Sequence, residues 1–178
     1  MRYLIPMAAM LACAAPALAQ PENPQIDFAG FVALAGQVEQ ERAQRLLPFG
    51  AFMERAQSND ALLLDARSAA DFAAGHIEGA VNLPLPEFTA QRLAQVIGAD
   101  RNRPILIYCN NNFINDVPPV TRKAIELALN IQTFINLTGY GYPNVFELGD
   151  VVDLSDPDVR WTGANAAALP YAPTEPGA

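Results

Sequence analysis

The sequence predicts an α/β fold with three layers, in which a mainly parallel central sheet carries helices on both faces. Two observations support this. Residues 61–64 and 104–108 are short apolar runs without polar alternation, as expected for strands that are buried on both sides. Segments with helical character separate such runs, and an alternation of strands and helices is typical of parallel sheets.

The first half of the domain shows this alternation clearly. Apolar residues near one helical face predict an N-terminal helix. Further on, Ser68 and Asp71 have the spacing of a capping box, and Gly75 is placed to end the short helix that the box begins. We expect helices at residues 28–46, 50–56 and 68–74, and strands at 61–64 and 80–83.

The second half continues the pattern on either side of a polar loop. Gly98 is placed to end one helix, and Asn130 to end another. The segment Pro-Ile-Leu-Ile-Tyr at 104–108 is the most apolar strand of the chain. We expect helices at residues 88–97 and 121–129 and a last one within 140–148, with strands at 104–108 and 133–137.

Both ends of the chain differ in composition from its middle. Arg2, an apolar stretch and the tripeptide at 17–19 match a secretory signal peptide cleaved before Gln20, which predicts a periplasmic or secreted protein. The stretch is too short for a membrane anchor, and Met10 fits a lipoprotein box ending at Cys13 poorly. We expect a signal peptide at 1–19, a linker and N-terminal helix at 20–45, one domain at 46–150, and an extension at 151–178 with a disordered Pro-rich tail.

The charge pattern excludes several classes of partner and site. The chain has a formal net charge of −8, and its eleven basic residues form no cluster. This argues against nucleic acid and, after signal cleavage, against a membrane as partner. Once Cys13 is removed, Cys109 and the single histidine, His76, cannot assemble a usual zinc ligand set. We expect neither a metal nor another cofactor.

Cys109 occupies a position suited to chemistry. It directly follows the strand at 104–108, and ligands of parallel sheets bind at the carboxyl edge of the strands. A helix beginning after the next loop would present backbone N–H groups and partial positive charge there. We expect these groups to lower the pKa of Cys109 and favour the reactive thiolate. An inert, buried thiol is the alternative.

Three segments in fixed order resemble the rhodanese-like domain family. Leu-Leu-Leu-Asp-Ala-Arg at 62–67 leads into Asp-Phe-Ala-Ala-Gly-His-Ile-Glu-Gly-Ala at 71–80; Ile-Leu-Ile-Tyr-Cys ends at Cys109; and Leu-Thr-Gly-Tyr-Gly follows at 137–141. The resemblance runs from about residue 46 to 148. It implies a rhodanese-like fold and a sulfurtransferase. Cys109 would take the sulfane sulfur of thiosulfate or a related small sulfur-containing anion, carry it as a persulfide and deliver it to an acceptor such as a thiol.

The loop after Cys109 departs from the family pattern Cys-x-x-Gly-x-Arg, because it is longer and has neither glycine nor arginine. Its asparagines could adopt left-handed conformations in place of glycine, and their amides could donate to an anion. Asn at position 115, where related phosphatases have arginine, argues against phosphatase activity. We expect an anion or persulfide loop of Asn110, Asn111, Asn112, Phe113, Ile114 and Asn115, with Asp65 and Arg67 either supporting it or forming an ordinary ion pair.

The altered loop also allows a function without catalysis. A fold does not fix an activity, and Phe113, Ile114 and Asp116 could contact a protein partner in a binding or regulatory module. A third role, disulfide exchange, would need a second cysteine to resolve the mixed disulfide within the mature chain, but Cys109 is the single cysteine that follows Cys13.

Overall fold

A computed structural model describes residues 23–166 of the chain. The expected signal peptide at 1–19, the beginning of the linker and the Pro-rich tail from residue 167 onward lie outside the described residues. Between residues 23 and 166, no helix combines the length and the apolar character needed to span a membrane.

A parallel sheet of five strands forms the centre of the domain. The strands of the structure are β1 (Leu46–Leu47), β2 (Leu62–Asp65), β3 (His76–Ile77), β4 (Val81–Asn82), β5 (Ile105–Tyr108), β6 (Val145–Leu148) and β7 (Trp161–Thr162). The central sheet has the order β1-β6-β5-β2-β4 with all pairs parallel, while β3 and β7 form a separate antiparallel pair. The carboxyl ends of β2, β5 and β6 therefore lie side by side at one edge.

Within residues 23–166, five α-helices surround this sheet: α1 (Phe28–Arg42), α2 (Phe49–Ala56), α3 (Ala69–Ala74), α4 (Ala90–Ile97) and α5 (Leu129–Gly139). Single 3-10 turns lie at Leu85–Glu87, Asn110–Asn112, Ile125–Leu127 and Pro157–Val159. The predicted capping box is present at α3, where the Ser68 side chain accepts a hydrogen bond from the Asp71 backbone N–H. Gly98 follows α4 with a φ of 97°, a conformation that favours glycine.

Alternate residues of the strands build two separate apolar clusters, one on each face of the sheet. In β5, Ile105 and Ile107 pack with residues of α1, α4 and α5. Leu106 and Tyr108 pack on the other side with α2 and with segments after β5 and β6. Helices thus cover both faces of a mainly parallel sheet, and the predicted three-layer α/β fold is confirmed.

The prediction was wrong for the elements between residues 121 and 148. Residues 129–139 form α5, so the strand expected at 133–137 does not exist; residues 121–124 form no helix, and β6 occupies the end of the region expected to be helical. The β-branched residues of this segment favour a strand locally. In the fold, however, Asn130, Thr133, Phe134 and Leu137 share one buried helical face, and this packing outweighs the local preference.

The segment after β6 packs on the domain up to β7. Leu154 and Val159 are buried in the same apolar cluster as α2. Trp161 pairs with Ile77 across β3 and β7, and its indole lies so close to Gly75 that a Cβ there would be 2.5 Å from Nε1. The first part of the expected extension at 151–178 thus contributes to the core.

Candidate active site

Cys109 follows β5 at the carboxyl edge of the sheet, in a wall of a cavity of about 370 Å³. The residue is only 1% exposed. Ile125 and Val151 also line the cavity and are 77% and 64% exposed, so the cavity reaches the surface. Its polar and charged lining residues are Arg42, Asn111, Asn112, Arg122, Asn130, Glu147 and Asp150.

The start of α5 faces the sulfur of Cys109. Ala128, which precedes the helix, provides no side-chain cap, so the first N–H groups of α5 lack a capping oxygen. The backbone N–H groups of Leu129 and Asn130, together with that of Asn111, act on the thiol as hydrogen-bond donors and favour its charged form. The fold thus places the N-terminus of α5 beside Cys109, although a long loop separates the two in sequence.

Burial nevertheless raises the pKa of Cys109 above the usual value of a thiol, and the charge of Glu147 acts in the same direction. The N–H groups of Asn130, Asn111 and Leu129 lower it by less than burial raises it. The expected lowering of this pKa is therefore wrong for the ligand-free protein. A low-dielectric surrounding penalises the thiolate, and the depth of the sulfur is a property of the packed fold.

We expect alkylation of Cys109 in the folded protein to increase with pH around a midpoint above that of the same thiol in the unfolded chain. Only the thiolate reacts, and the raised pKa keeps the resting thiol protonated at neutral pH. Iodoacetamide labelling over a pH series, quantified by mass spectrometry on the peptide that holds Cys109, measures the midpoint. The urea-unfolded chain is the reference, with an expected midpoint near ~8.5. A folded midpoint at or below the reference would contradict this prediction.

Asn112 holds the loop to the sheet edge through both ends of its amide. Its Oδ1 accepts from the backbone N–H of Cys109 (2.9 Å). Its Nδ2 donates to the carbonyl oxygens of Leu148 (2.8 Å) and Asp150 (3.1 Å). The residue is 7% exposed, so water does not replace these bonds. Asn112 therefore fixes the position of Cys109 against the end of β6.

The other asparagines of the predicted loop also bind the chain itself. Asn111 lines the cavity, donates to the carbonyl oxygen of Lys123 (2.8 Å) and accepts from its N–H (3.1 Å). Asn115 donates to Asp153 (3.1 Å), and Asn110 makes a long contact of 3.5 Å with the carbonyl oxygen of Pro119. The amides that sequence reasoning assigned to an anion hold the loop in shape.

The idea that these asparagines replace glycine in left-handed conformations is wrong. Among the described residues, the non-glycine positions with positive φ are Asp116 (45°) and Arg160 (53°). Asp116 accepts from both the backbone and the side chain of Arg122, at 2.9 Å each, and these bonds accompany the turn. The left-handed position thus lies one residue beyond the predicted loop.

Phe113 and Ile114 do not line the cavity at Cys109. Phe113 is fully buried and packs edge to face against Tyr108 and Trp161, so it belongs to the core and cannot form the exposed contact expected for a binding module. Ile114 is 48% exposed, and its N–H donates to the carbonyl oxygen of Val152. The cavity thus unites Cys109 with Asn111 and Asn112 of the six predicted loop residues.

Asp65 and Arg67 form a fully buried ion pair at the end of β2. The Arg67 guanidinium donates to both carboxylate oxygens of Asp65, and Tyr108 donates its hydroxyl to the same carboxylate (2.6 Å). Arg67 also donates to the carbonyl oxygens of Pro119 (3.2 Å) and Gly75 (2.7 Å). The pair is therefore an ion pair that also touches the loop after Cys109, without lining its cavity.

Sequence reasoning missed several cavity residues, and three of them form a connected group: Arg42, Asn130 and Glu147. Arg42 of α1 donates from Nε (2.6 Å) and Nη2 (2.7 Å) to the Glu147 carboxylate. Asn130 donates to Glu147 (3.1 Å) and to Asn112 (2.9 Å), while its own buried Oδ1 has no partner within residues 23–166. Glu147 could have been found, because it is the single charged residue of a buried strand.

His76, the single histidine of the sequence, does not line the cavity at Cys109. Its Nδ1 contacts the carbonyl oxygen of Phe72 at 2.7 Å and its ring stacks on the Phe72 ring, so it holds the end of α3. Within the described part of the chain, no group of three or more His, Cys, Asp or Glu side chains could hold a metal ion.

Comparison with protein families gives one match that covers more than half of the chain. The family model of the rhodanese-like domain matches residues 50–149. This range contains Cys109, Asn130 and Glu147, whereas Arg42 precedes it.

Individual relatives match more weakly. The HTH-type transcriptional regulator Rv0324 of Mycobacterium tuberculosis is 35% identical over 80 residues, which are 45% of this chain and 34% of that protein. The chain thus spans about a third of the regulator's length. The rhodanese-like domain of the Anabaena sp. Alr3790 protein is 15% identical, with 75% of this chain and 90% of that one covered and a TM-score of 0.48. A rhodanese with anions from E. coli is 22% identical, with 58% and 99% covered and a TM-score of 0.38.

Proposed function

Because the chain belongs to the rhodanese-like domain family, we propose that it is a sulfurtransferase that carries a persulfide on Cys109. The observation that carries the proposal is the placement of this thiol in a cavity, facing the uncapped start of α5. The donor is thiosulfate or a related anion with a sulfane sulfur. The acceptor is a thiol or another small nucleophile.

The proposed reaction has two steps. The Cys109 thiol loses its proton to solvent, and the thiolate attacks the outer sulfur of thiosulfate. A bond forms between Sγ and that sulfur, the S–S bond of thiosulfate breaks, and sulfite leaves with the electron pair. In the second step the acceptor attacks the outer sulfur of the persulfide and releases the Cys109 thiolate. This is nucleophilic catalysis with a covalent intermediate.

The backbone around the sulfur offers hydrogen-bond donors to both of its charged forms, the thiolate and the persulfide anion. The N–H groups of Leu129, Asn130 and Asn111 are placed as fixed donors for a thiolate or a persulfide anion. The raised pKa of the resting thiol means that such stabilisation has to overcome burial. An acceptor that carries a proton, such as a thiol, can donate a hydrogen bond to Oδ1 of Asn130, which has no partner within residues 23–166.

The test is the intact mass of the protein after incubation with thiosulfate, beside Cys109→Ser. We expect the wild type to gain one sulfur atom and the variant none, and cyanide should remove the added sulfur as thiocyanate. Equal masses before and after incubation with thiosulfate would overturn the proposal, provided that a separate sample of the same protein reacts with iodoacetamide at Cys109. Alkylation is the necessary control, because it shows that small reagents reach the sulfur.

A binding module without sulfur transfer is the second candidate. Two observations favour it: Cys109 is 1% exposed, and burial raises the pKa of its thiol. The cavity rim also carries the exposed apolar side chains of Ile125 and Val151, which could contact another chain. An accessible thiol that never loads sulfur would favour this function over the enzyme.

A further inference from the structure

We propose that Arg42 of the N-terminal helix α1 is the binding residue for the anionic sulfur donor at Cys109, and that Glu147 competes with the donor for its guanidinium. This inference rests on the proposed function, since it names the residue that would recognise the donor. It assigns a specificity role to a helix that lies before the matched family range.

The fold brings Arg42 near Cys109, because its side chain lines the same cavity and the two groups are close enough for their charges to interact. Nε and Nη2 are engaged by Glu147 in a two-pronged ion pair, but Nη1 donates to no oxygen of residues 23–166. The Arg42 side chain lines the cavity and is 34% exposed, so the fold covers it only in part.

Arg122 is the other arginine of the cavity wall, and the observations favour Arg42 over it. The Arg122 side chain is 53% exposed and is bound by Asp116, at a turn of the loop. A charge so exposed to water attracts an anion weakly. The Arg42 guanidinium instead contacts Glu147, whose side chain is 6% exposed and which interacts electrostatically with Cys109.

Glu147 opposes the binding of an anion at the proposed site, and this opposition can be tested. In the ligand-free protein its carboxylate offsets the charge of Arg42 and opposes any anion in the cavity. Asn130 donates to the same carboxylate and holds it at the cavity wall. An anion that contacts Arg42 therefore meets one attractive and one repulsive group. Removing the charge of Arg42 must therefore lower the affinity for the anion, and removing the charge of Glu147 must raise it.

The experiment measures thiosulfate binding to the full chain by calorimetry, with Cys109→Ser in all proteins so that no transfer occurs. We expect Arg42→Gln to weaken binding by about tenfold, the effect of one lost charge-assisted hydrogen bond. Glu147→Gln should tighten binding by roughly threefold or more, because it removes the opposing charge. Arg92→Gln is the matched control. It removes an arginine of α4 that forms a half-exposed pair with Glu87, and it should leave binding unchanged.

The opposite changes in thiosulfate affinity expected for Arg42→Gln and Glu147→Gln distinguish anion recognition from a structural role. If the Arg42–Glu147 pair only docks α1 on the domain, both substitutions loosen the same contact and weaken binding alike, or neither affects it; either outcome overturns the inference. Should Arg42→Gln fail to fold, Glu147→Gln decides alone: tighter binding supports the inference, and unchanged or weaker binding overturns it. Arg42→Lys, which keeps the charge, should restore part of the affinity lost in Arg42→Gln.

The binding measurement is independent of sulfur transfer. Thiosulfate binding with the expected signs, together with no sulfur gain in the wild type, would overturn the proposed function and leave the Arg42 site standing. Sulfur loading in the wild type, with no change of affinity in Arg42→Gln, would overturn this inference alone.

Discussion

Replacing Arg67 by methionine is expected to lower the free energy of unfolding by about 3–5 kcal/mol, the usual cost of breaking a buried ion pair from one side. Methionine keeps much of the volume but leaves the Asp65 carboxylate without its cation, and Asp65 is fully buried. The carbonyl oxygens of Gly75 and Pro119 lose a donor as well. Such a loss is a large fraction of the stability of an ordinary domain.

Urea denaturation followed by circular dichroism measures this loss. Arg92→Met is the matched control, since Arg92 pairs with Glu87 at the surface and both side chains are about half exposed. Water solvates the remaining carboxylate there, and we expect a change within about 0.5 kcal/mol. Similar losses for the two variants would mean that the Asp65–Arg67 pair contributes no more than a surface contact.

Replacing Asn112 by aspartate is expected to cost about 2–4 kcal/mol, because it removes two buried donors and leaves their acceptors unpaired. The change keeps the shape of the side chain. It places a carboxylate oxygen against the carbonyl oxygens of Leu148 and Asp150, to which the amide now donates. Since Asn112 also holds the N–H of Cys109, we expect the loosened loop to expose the sulfur and speed its alkylation.

Asn111→Asp is the control on the adjacent residue. Asn111 also donates to a backbone carbonyl oxygen, that of Lys123, but this contact is exposed and water can take its place. We expect a loss below about 1 kcal/mol there. Both variants add one carboxylate to the cavity wall, so a faster alkylation of Cys109 in Asn112→Asp than in Asn111→Asp reports the loosened loop. Equal effects of the two substitutions on denaturation and alkylation would show that Asn112 does not anchor the loop.

Local patterns sufficed where neighbouring residues decide the structure. The apolar runs that became β2 and β5 were recognised because strands buried on both faces need no polar alternation. The capping box at Ser68 was recognised because its two partners are three residues apart. The failure at α5 has the opposite cause, since its β-branched residues become helical only through the face they bury.

The sequence by itself determined the α/β class, the family and the place of Cys109 after the most apolar strand. Only the tertiary structure decided what surrounds that cysteine. Arg42 and Glu147 are 105 positions apart and meet because α1 packs against α5, and the start of α5 reaches the sulfur across a long loop. Burial, and with it the raised pKa of the thiol, depends on the whole packed core. Such quantities depend on distances in space, which no local pattern of residues specifies.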